Sequence, residues 1–376
     1  MKKILAILFA VLMAIVPAAL AIDTGIGVGV DITTEDFEPL IWLCDDRTVR
    51  DDNVEWGRTS EGGDKLVERI NNYAFEGEQI EWTVLVMDKN GIEKIEDVFG
   101  TVGSTQGAGN DIEVNCDAIQ GVPRDHRYYT EHGYDQIPDD CNARILEEKI
   151  RYFDADTMRF YKCIFTVETP ESMYGEYWIT IEVVDLDGLS NTMDENEFWF
   201  LNPAVALAID GSLAFEDVRP GTDTYSETIL VGNDADAGSG VMLDMFIAGT
   251  DFYDSSSSGA KCPVSNQLEL DNFRYYAVNG AYSTAGDDQN DNDDYDPATQ
   301  RDRDDEGYLN IQYGNAFARA VYDEAEILQD QAVGPYYTAN LLAPGAELAL
   351  TFKLSLPEPC NGDFDSGSIY FFGEAV

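Results

Sequence analysis

Hydrophobic and polar positions along this chain alternate with a period of two, or gather into short runs rich in β-branched and aromatic residues. Such runs are "QIEWTVLVMD" (79–88), "RFYKCIFTVET" (159–169), "EYWITIEVVD" (176–185), "EFWFL" (197–201), "AVALAI" (204–209), "YSETILVGN" (225–233), "MLDMFIAG" (242–249), "ELALTFKLSL" (347–356) and "SIYFFGEA" (368–375). Gly, Asp, Asn and Pro separate them, so the pattern predicts short strands in a sandwich or barrel rather than alternating strands and helices. Helical spacing occurs only over 64–74, 141–153 and 315–328, and none of these builds a layer. The expectation is an all-β chain: two immunoglobulin-like or jelly-roll β-sandwich domains with a few short helices.

Two segments echo each other, "EGEQIEWTVLVMDKNG" (76–91) and "YGEYWITIEVVDLDG" (174–188). Each is an aromatic-bearing strand ending in Asp-x-Asn/Asp-Gly, whose glycine supplies the positive φ of a tight turn, so both ends are expected to be hairpins. Pro203 separates two strand signals. The expected organisation is a first sandwich over 22–202 and a second over 203–376, the latter carrying a long acidic loop at 285–307.

The segment before residue 22 changes the compartment. Lys2 and Lys3 precede an apolar run that ends in Ala19-x-Ala21, the layout of a secretory signal (1–21) cut before Ile22. An uncleaved anchor is the alternative, since the run just reaches spanning length. Either way the mature chain is expected outside the cell, secreted or at the surface, without membrane insertion of its own.

Charge and cysteine narrow the class. A formal net charge of −49 excludes nucleic acid, whose phosphates need a basic surface, and favours a surface bathed in cations. Six cysteines in an exported chain are most simply three disulfides. Cys262 has Cys360 as its partner within the second half; for the first half the expectation is Cys116 with Cys141 and Cys44 with Cys163, from three available pairings.

"DDQNDNDDYDPATQRDRDDE" (287–306) concentrates carboxylates. Asp288, Asn290 and Asn292 fit the first positions of an EF-hand loop, but Asp293 stands where Gly is needed and Thr299 where Glu is needed. Starting at Asp302 gives Asp304, Glu306 and Gly307, with Tyr313 at the twelfth place. What remains is a looser Ca²⁺ expectation on Asp288, Asn290, Asn292, Asp294, Asp296, Asp302 and Asp304, against a solvated acidic loop. Asp234 and Asp236 are a weaker Ca²⁺ candidate. His126, His132 and Asp135 make a conceivable loop metal site against a tyrosine-rich surface loop. There is no HExxH, no G-x-S-x-G elbow and no P-loop; "GIGVGV" (25–30) lacks the strand and helix a nucleotide fingerprint needs. No catalytic residue is expected.

"YGEYWITIEVVDLDGLSNT" (174–192) resembles the closing strand of exported immunoglobulin-like modules of the PKD and cadherin-like kind. "LAFEDVRPGTDTYSETILVGNDADAGSGVMLDMFIAGTDF" (213–252) and "APGAELALTFKLSLPEP" (343–359) are similar to strand regions of jelly-roll and immunoglobulin-like domains in microbial surface layers and filaments. With "DTGIGVGVDITTEDF" (23–37), the chain resembles signal-bearing surface proteins of small-genome archaea. The resemblance implies a β-sandwich fold and a surface location, and, because cadherin-like modules hold Ca²⁺ with carboxylates at domain junctions, it makes Asp185, Asp187 and Asp194, near Glu195, a further Ca²⁺ candidate against a plain turn. With no catalytic motif and so acidic a chain, the expectation is a non-enzymatic role through contact with copies of itself or with other envelope proteins, with Ca²⁺ between them. The alternative is an adhesin or carbohydrate-binding module using Trp42, Trp82, Trp178 or Trp199, of which Trp82 and Trp178 are expected in the core. A first strand over 22–37 is expected to complete its own sheet or, failing that, a neighbour's.

Overall fold

A computed structural model describes residues 31–50, 71–107, 109–122, 136–137, 141, 143–145, 148–193, 197–256, 261–263, 266–286, 302–314, 326–330, 332–333 and 336–376. The chain divides into two compact units, Met1–Asp36 and Phe37–Val376. In the first, residues 31–36 are exposed and irregular. The second is all β, and its described helices are single 3-10 turns such as Ile92–Lys94.

The strands before residue 202 are β1 (Leu40–Arg50), β2 (Tyr73–Ala74), β3 (Gln79–Met87), β4 (Ile95–Gly103), β5 (Ile112–Ile119), the hairpin β6 (Arg144–Ile145) and β7 (Glu148–Lys149), β8 (Met158–Thr166), β9 (Gly175–Asp185), β10 (Ser190–Thr192) and β11 (Glu197–Leu201). All except the hairpin join in the order β1-β3-β8-β5-β4-β9-β11-β2, with β10 on β9. The path curls because β5 serves two partners: Ile112–Asn115 ladder with β4, and Cys116–Ile119 with β8. A strand that changes partners midway turns the corner of a sandwich. Inside the curl Trp82 and Trp199 meet edge to face, centroids 5.9 Å apart, among Val84, Val98, Ile179, Ile181 and Val183. Trp178 is half-buried instead of in the core and lies on Phe198, 5.3 Å between centroids.

After residue 202 come β12 (Leu207–Asp210), β13 (Asp223–Tyr225), β14 (Ile229–Asn233), β15 (Leu243–Gly249), β16 (Phe252–Tyr253), β17 (Gln267–Leu268), β18 (Phe273–Asn279), β19 (Tyr282–Ser283), β20 (Leu309–Asn310), β21 (Gln312–Tyr313), β22 (Ala332–Val333), β23 (Tyr336–Tyr337), β24 (Leu341–Leu342), β25 (Glu347–Ser355) and β26 (Ile369–Ala375). One sheet runs β12-β14-β25-β18-β19, with β13 on β25 and β20 on β18; the sheet facing it runs β21-β15-β24, with β26 on β15. β25 shows the two-residue period plainly: Leu348, Leu350, Phe352 and Leu354 enter the core while Thr351 and Lys353 point to the other face. Tyr73 and Phe200 also join this core, and the Tyr73 hydroxyl donates to the Val376 carbonyl at 2.6 Å.

Three further expectations change. Where helical spacing suggested helices, residues 73–74, 144–145 and 148–149 form strands; 64–70, 142, 146–147 and 315–325 lie outside the described residues. The Asp185–Gly188 turn does close a hairpin, β9 to β10, but the Asp88–Gly91 turn passes the chain on to β4, which pairs with β5 and β9 and not with β3. The disulfides of the first half are Cys44–Cys141 and Cys116–Cys163. The ladder dictates the second, because Cys116 and Cys163 stand directly opposite each other in β5 and β8, with Cα atoms 4.1 Å apart; neither is then free for a loop clip or for Cys44. Cys262 pairs with Cys360.

Candidate functional site

The acidic Asp-x-x-Gly sequences fold alike. In Asp185-Leu186-Asp187-Gly188-Leu189 the Asp185 Oδ1 accepts the backbone N–H of Asp187 (3.0 Å) and of Leu189 (2.7 Å), and the Gly188 N–H donates to the Asp185 carbonyl at φ +85°. Asp304-Asp305-Glu306-Gly307-Tyr308 repeats this: Asp304 Oδ1 accepts from the N–H of Glu306 (3.0 Å) and Tyr308 (2.9 Å), with Gly307 at φ +88°. At Asp88-Lys89-Asn90-Gly91 the Asp88 Oδ1 accepts, among the described residues, the Asn90 N–H alone, 2.7 Å. A short carboxylate that satisfies its own turn's donors is the local reason for these sequences.

This accounts for several residues expected to hold Ca²⁺. Asp185 is 2% exposed and spent on its turn, and Asp187 pairs with Lys94. Asp302 pairs with Arg274, whose guanidinium also donates to the Asp302 carbonyl. Asp236 accepts the Tyr174 hydroxyl (2.9 Å) and the Ala204 N–H (2.8 Å). Asp288, Asn290, Asn292, Asp294, Asp296, Asp194, His126, His132 and Asp135 lie outside the described residues. Among the described residues no group of three or more His, Cys, Asp or Glu side chains is placed to hold a metal ion.

A charge cluster sits on the outward face of β25. Lys353 is 8% exposed, and its ammonium contacts Asp304 (2.9 Å), Glu306 (3.0 Å) and Asp223 (3.6 Å). The Tyr225 hydroxyl donates to Glu306 at 2.8 Å, and Tyr308 packs beside Tyr225 and Tyr276 with centroids 5.7 and 5.5 Å apart. Burial opposes charge on Lys353, but the hydrogen bonds to Asp304 and Glu306 outweigh it and raise its pKa. Asp304 is likewise disfavoured by burial, yet Lys353 and the Tyr308 N–H carry it below the ordinary 3.8. Glu306 is lowered from 4.5 by Lys353 and then Tyr225. Lys353 therefore pins the end of the acidic loop to the sheet. Its signal was present in the sequence: one basic residue at an outward position of an otherwise uncharged strand interior.

A different arrangement opens where β15 ends. A cleft of about 590 Å³ is lined by Gly249, Thr250, Asp251, Tyr253, Tyr313, Gly314, Ser366 and Gly367. Tyr313 lies opposite Gly249 in the parallel β15–β21 pair, and the Tyr253 and Ser366 backbones bond to each other in both directions. Asp251 holds Tyr313: its Oδ1 accepts the phenol at 2.8 Å and the Leu270 N–H at 2.9 Å, and its Oδ2 accepts from Gln267. Burial, followed by that hydrogen bond, pushes the Tyr313 pKa far up, so the phenol keeps its proton. Sequence reasoning did not single out this cleft, because its residues come from three separate segments.

No protein-family model matches the chain, and no curated protein does. Among solved structures, BspA_C_WT and the Streptococcus agalactiae AgI/II polypeptide BspA C terminal domain (WT) each align at TM-score 0.29 and 10% identity, over 88% of this chain and 96% of theirs. The secreted serine protease VesC from Vibrio cholerae aligns at TM-score 0.19 and 7% identity, over 80% of this chain and 48% of its own. At such TM-scores these likenesses bear on neither fold nor activity.

Proposed function

We propose that this is an exported, surface-exposed β-sandwich protein that works by contact with copies of itself or with other envelope proteins, and not by turnover. The observation that carries the reading is the pairing of all six cysteines into three disulfides, separated by 97, 47 and 98 residues. Cross-links of this kind persist in oxidising compartments outside the cytosol, and they hold a β scaffold together under extracellular conditions. The net charge of −49 then makes cations, Ca²⁺ among them, the natural mediators between acidic surfaces.

The test is size-exclusion chromatography and negative-stain imaging of the mature chain with and without millimolar Ca²⁺. Assemblies that form with the cation and dissolve on chelation are the expected result. A monomer under every condition, up to high protein concentration and salt, removes self-association and leaves only heterologous envelope partners, to be sought by cross-linking on intact cells.

A further inference from the structure

We propose that the cleft at the end of β15 is a binding site for a neutral, polyhydroxylated ligand, a glycan. This is separate from any self-association, and it stands or falls on different residues. Tyr253 and Tyr313 line the cleft with 42% and 51% of their surfaces exposed, whereas Trp82 and Trp199 are consumed by the core and Trp178 lies against Phe198. An exposed tyrosine ring beside a concave surface offers an apolar face with a polar tip, the combination that fits a sugar ring's C–H face and its hydroxyls.

The cleft's polar groups match the same ligand. Tyr253 Oη and Ser366 Oγ make no hydrogen bond among the described residues, and Thr250 Oγ1 accepts from the Ser368 N–H at 3.1 Å while its own proton stays free to donate. Hydroxyls of this kind both give and take hydrogen bonds, as a polyol requires. Asp251 does not call for a cation, because three donors already satisfy it, from Tyr313, Leu270 and Gln267. An anionic ligand is opposed by the net charge of −49. A neutral ligand is what remains.

The walls are also held in place. A Cβ on Gly249 would come within 2.7 Å of Leu270 Cδ1, and one on Gly367 within 2.5 Å of Phe252 Cδ1, so the backbone is packed tightly against its neighbours beneath both positions. The Asp251 hydrogen bond fixes the Tyr313 ring without any ligand. Preorganisation of this sort limits the entropy lost on binding.

The probe is an array of neutral, amino and acidic oligosaccharides, followed by calorimetry on the strongest neutral hit with the disulfide-intact mature chain. Binding to a neutral oligosaccharide is expected, weakened by about tenfold or more in Tyr253→Ala and in Tyr313→Ala. It should hold within about threefold in Tyr313→Phe, which keeps the ring, and be unchanged in Tyr152→Ala, an exposed tyrosine outside the cleft. Unchanged melting temperatures in the alanine variants show that the losses are local. The proposal is overturned by no neutral hit at millimolar ligand, by binding indifferent to both alanine variants, or by binding confined to cationic probes such as tetramethylammonium, which would make the site an aromatic cation cage. Since each result is read at dilute protein concentration, none depends on whether the chain assembles.

Discussion

At the residue scale, two acidic turns carry opposite pH signatures. Asp304 and Glu306 have pKa values lowered in the folded chain, so their stabilisation is complete above their unfolded values and is lost as pH falls below about 3.8 and 4.5. Replacing Lys353 with Met removes the counter-charge; because the carboxylates around it are partly solvated, the expected cost at pH 7 is about 2 kcal/mol, less than for a fully buried pair. The acid limb of the stability curve should flatten in the variant, as measured by urea unfolding between pH 2 and 7; an unchanged limb would show that Lys353 is not the group responsible. Asp88 behaves in the reverse sense. It is fully buried, its Oδ2 has no hydrogen-bond partner among the described residues, and burial, with Asp185 and Asp187 adding repulsion against the Asn90 bond and Lys94, raises its pKa. The folded chain holds that proton after the unfolded chain has lost it, so stability drains away as pH rises through the interval above 3.8. Asp88→Asn keeps an acceptor for the Asn90 N–H and removes the charge. It should stabilise by about 1 kcal/mol at pH 7 and by nothing near pH 3, where both side chains are neutral; a destabilised variant at pH 7 would mean the carboxylate is needed as an ion.

At the scale of elements, strands with an unbroken apolar side were legible and half-exposed ones were not. β3, β9, β15 and β25 stand out in the sequence because one or both faces are buried. β5, "IEVNCDAI", is mostly half-buried or exposed, and its acidic and polar residues hide the period of two. The expected pairs Cys116–Cys141 and Cys44–Cys163 fail for the same reason: without β5 beside β8, nothing in the spacing sets Cys116 opposite Cys163. The helical spacing at 141–153 misled for a related reason, since the pairing Arg144↔Lys149 and Ile145↔Glu148 is a tight hairpin tied by Cys141 to β1, and a covalent link with its hairpin overrides a weak helix propensity. The candidate sites were less legible still, because Asp251, Tyr313 and Ser366 meet only through β15, β21 and the approach to β26. The disulfides themselves yield a prediction. Chain entropy gives roughly 4 kcal/mol for closing a 47-residue separation and slightly more for 97. The double variants Cys116→Ala/Cys163→Ala and Cys44→Ala/Cys141→Ala should therefore lose about 3–4 kcal/mol each in urea unfolding, the second at least as much as the first. A clear reversal of that order would mean that the ladder around Cys116 and Cys163 depends on the cross-link in the folded state.

At the scale of the whole molecule, a net charge of −49 acts against the compact state through self-repulsion. Where acids are pinned, as at Lys353 or Arg274, the fold supplies its own counter-charge; Lys and Arg together number 23 against 72 Asp and Glu, so most carboxylates must be screened by the solution. The Debye length shrinks from about 30 Å at 0.01 M salt to about 3 Å at 1 M, which silences repulsion between surface acids but barely reaches the half-buried Lys353 cluster. The melting temperature should thus climb by about 5 °C or more between 0.01 and 1 M NaCl, while the loss caused by Lys353→Met stays nearly constant over the same range. Ca²⁺ adds a separate discrimination. At matched ionic strength, a diffuse cation atmosphere gives CaCl₂ only a modest gain over NaCl, whereas a specific site gives a rise that continues with log[Ca²⁺] according to binding linkage. Scanning calorimetry across both titrations distinguishes the two, and a melting temperature flat in NaCl would show that the acidic surface is already spaced widely enough to need no screening.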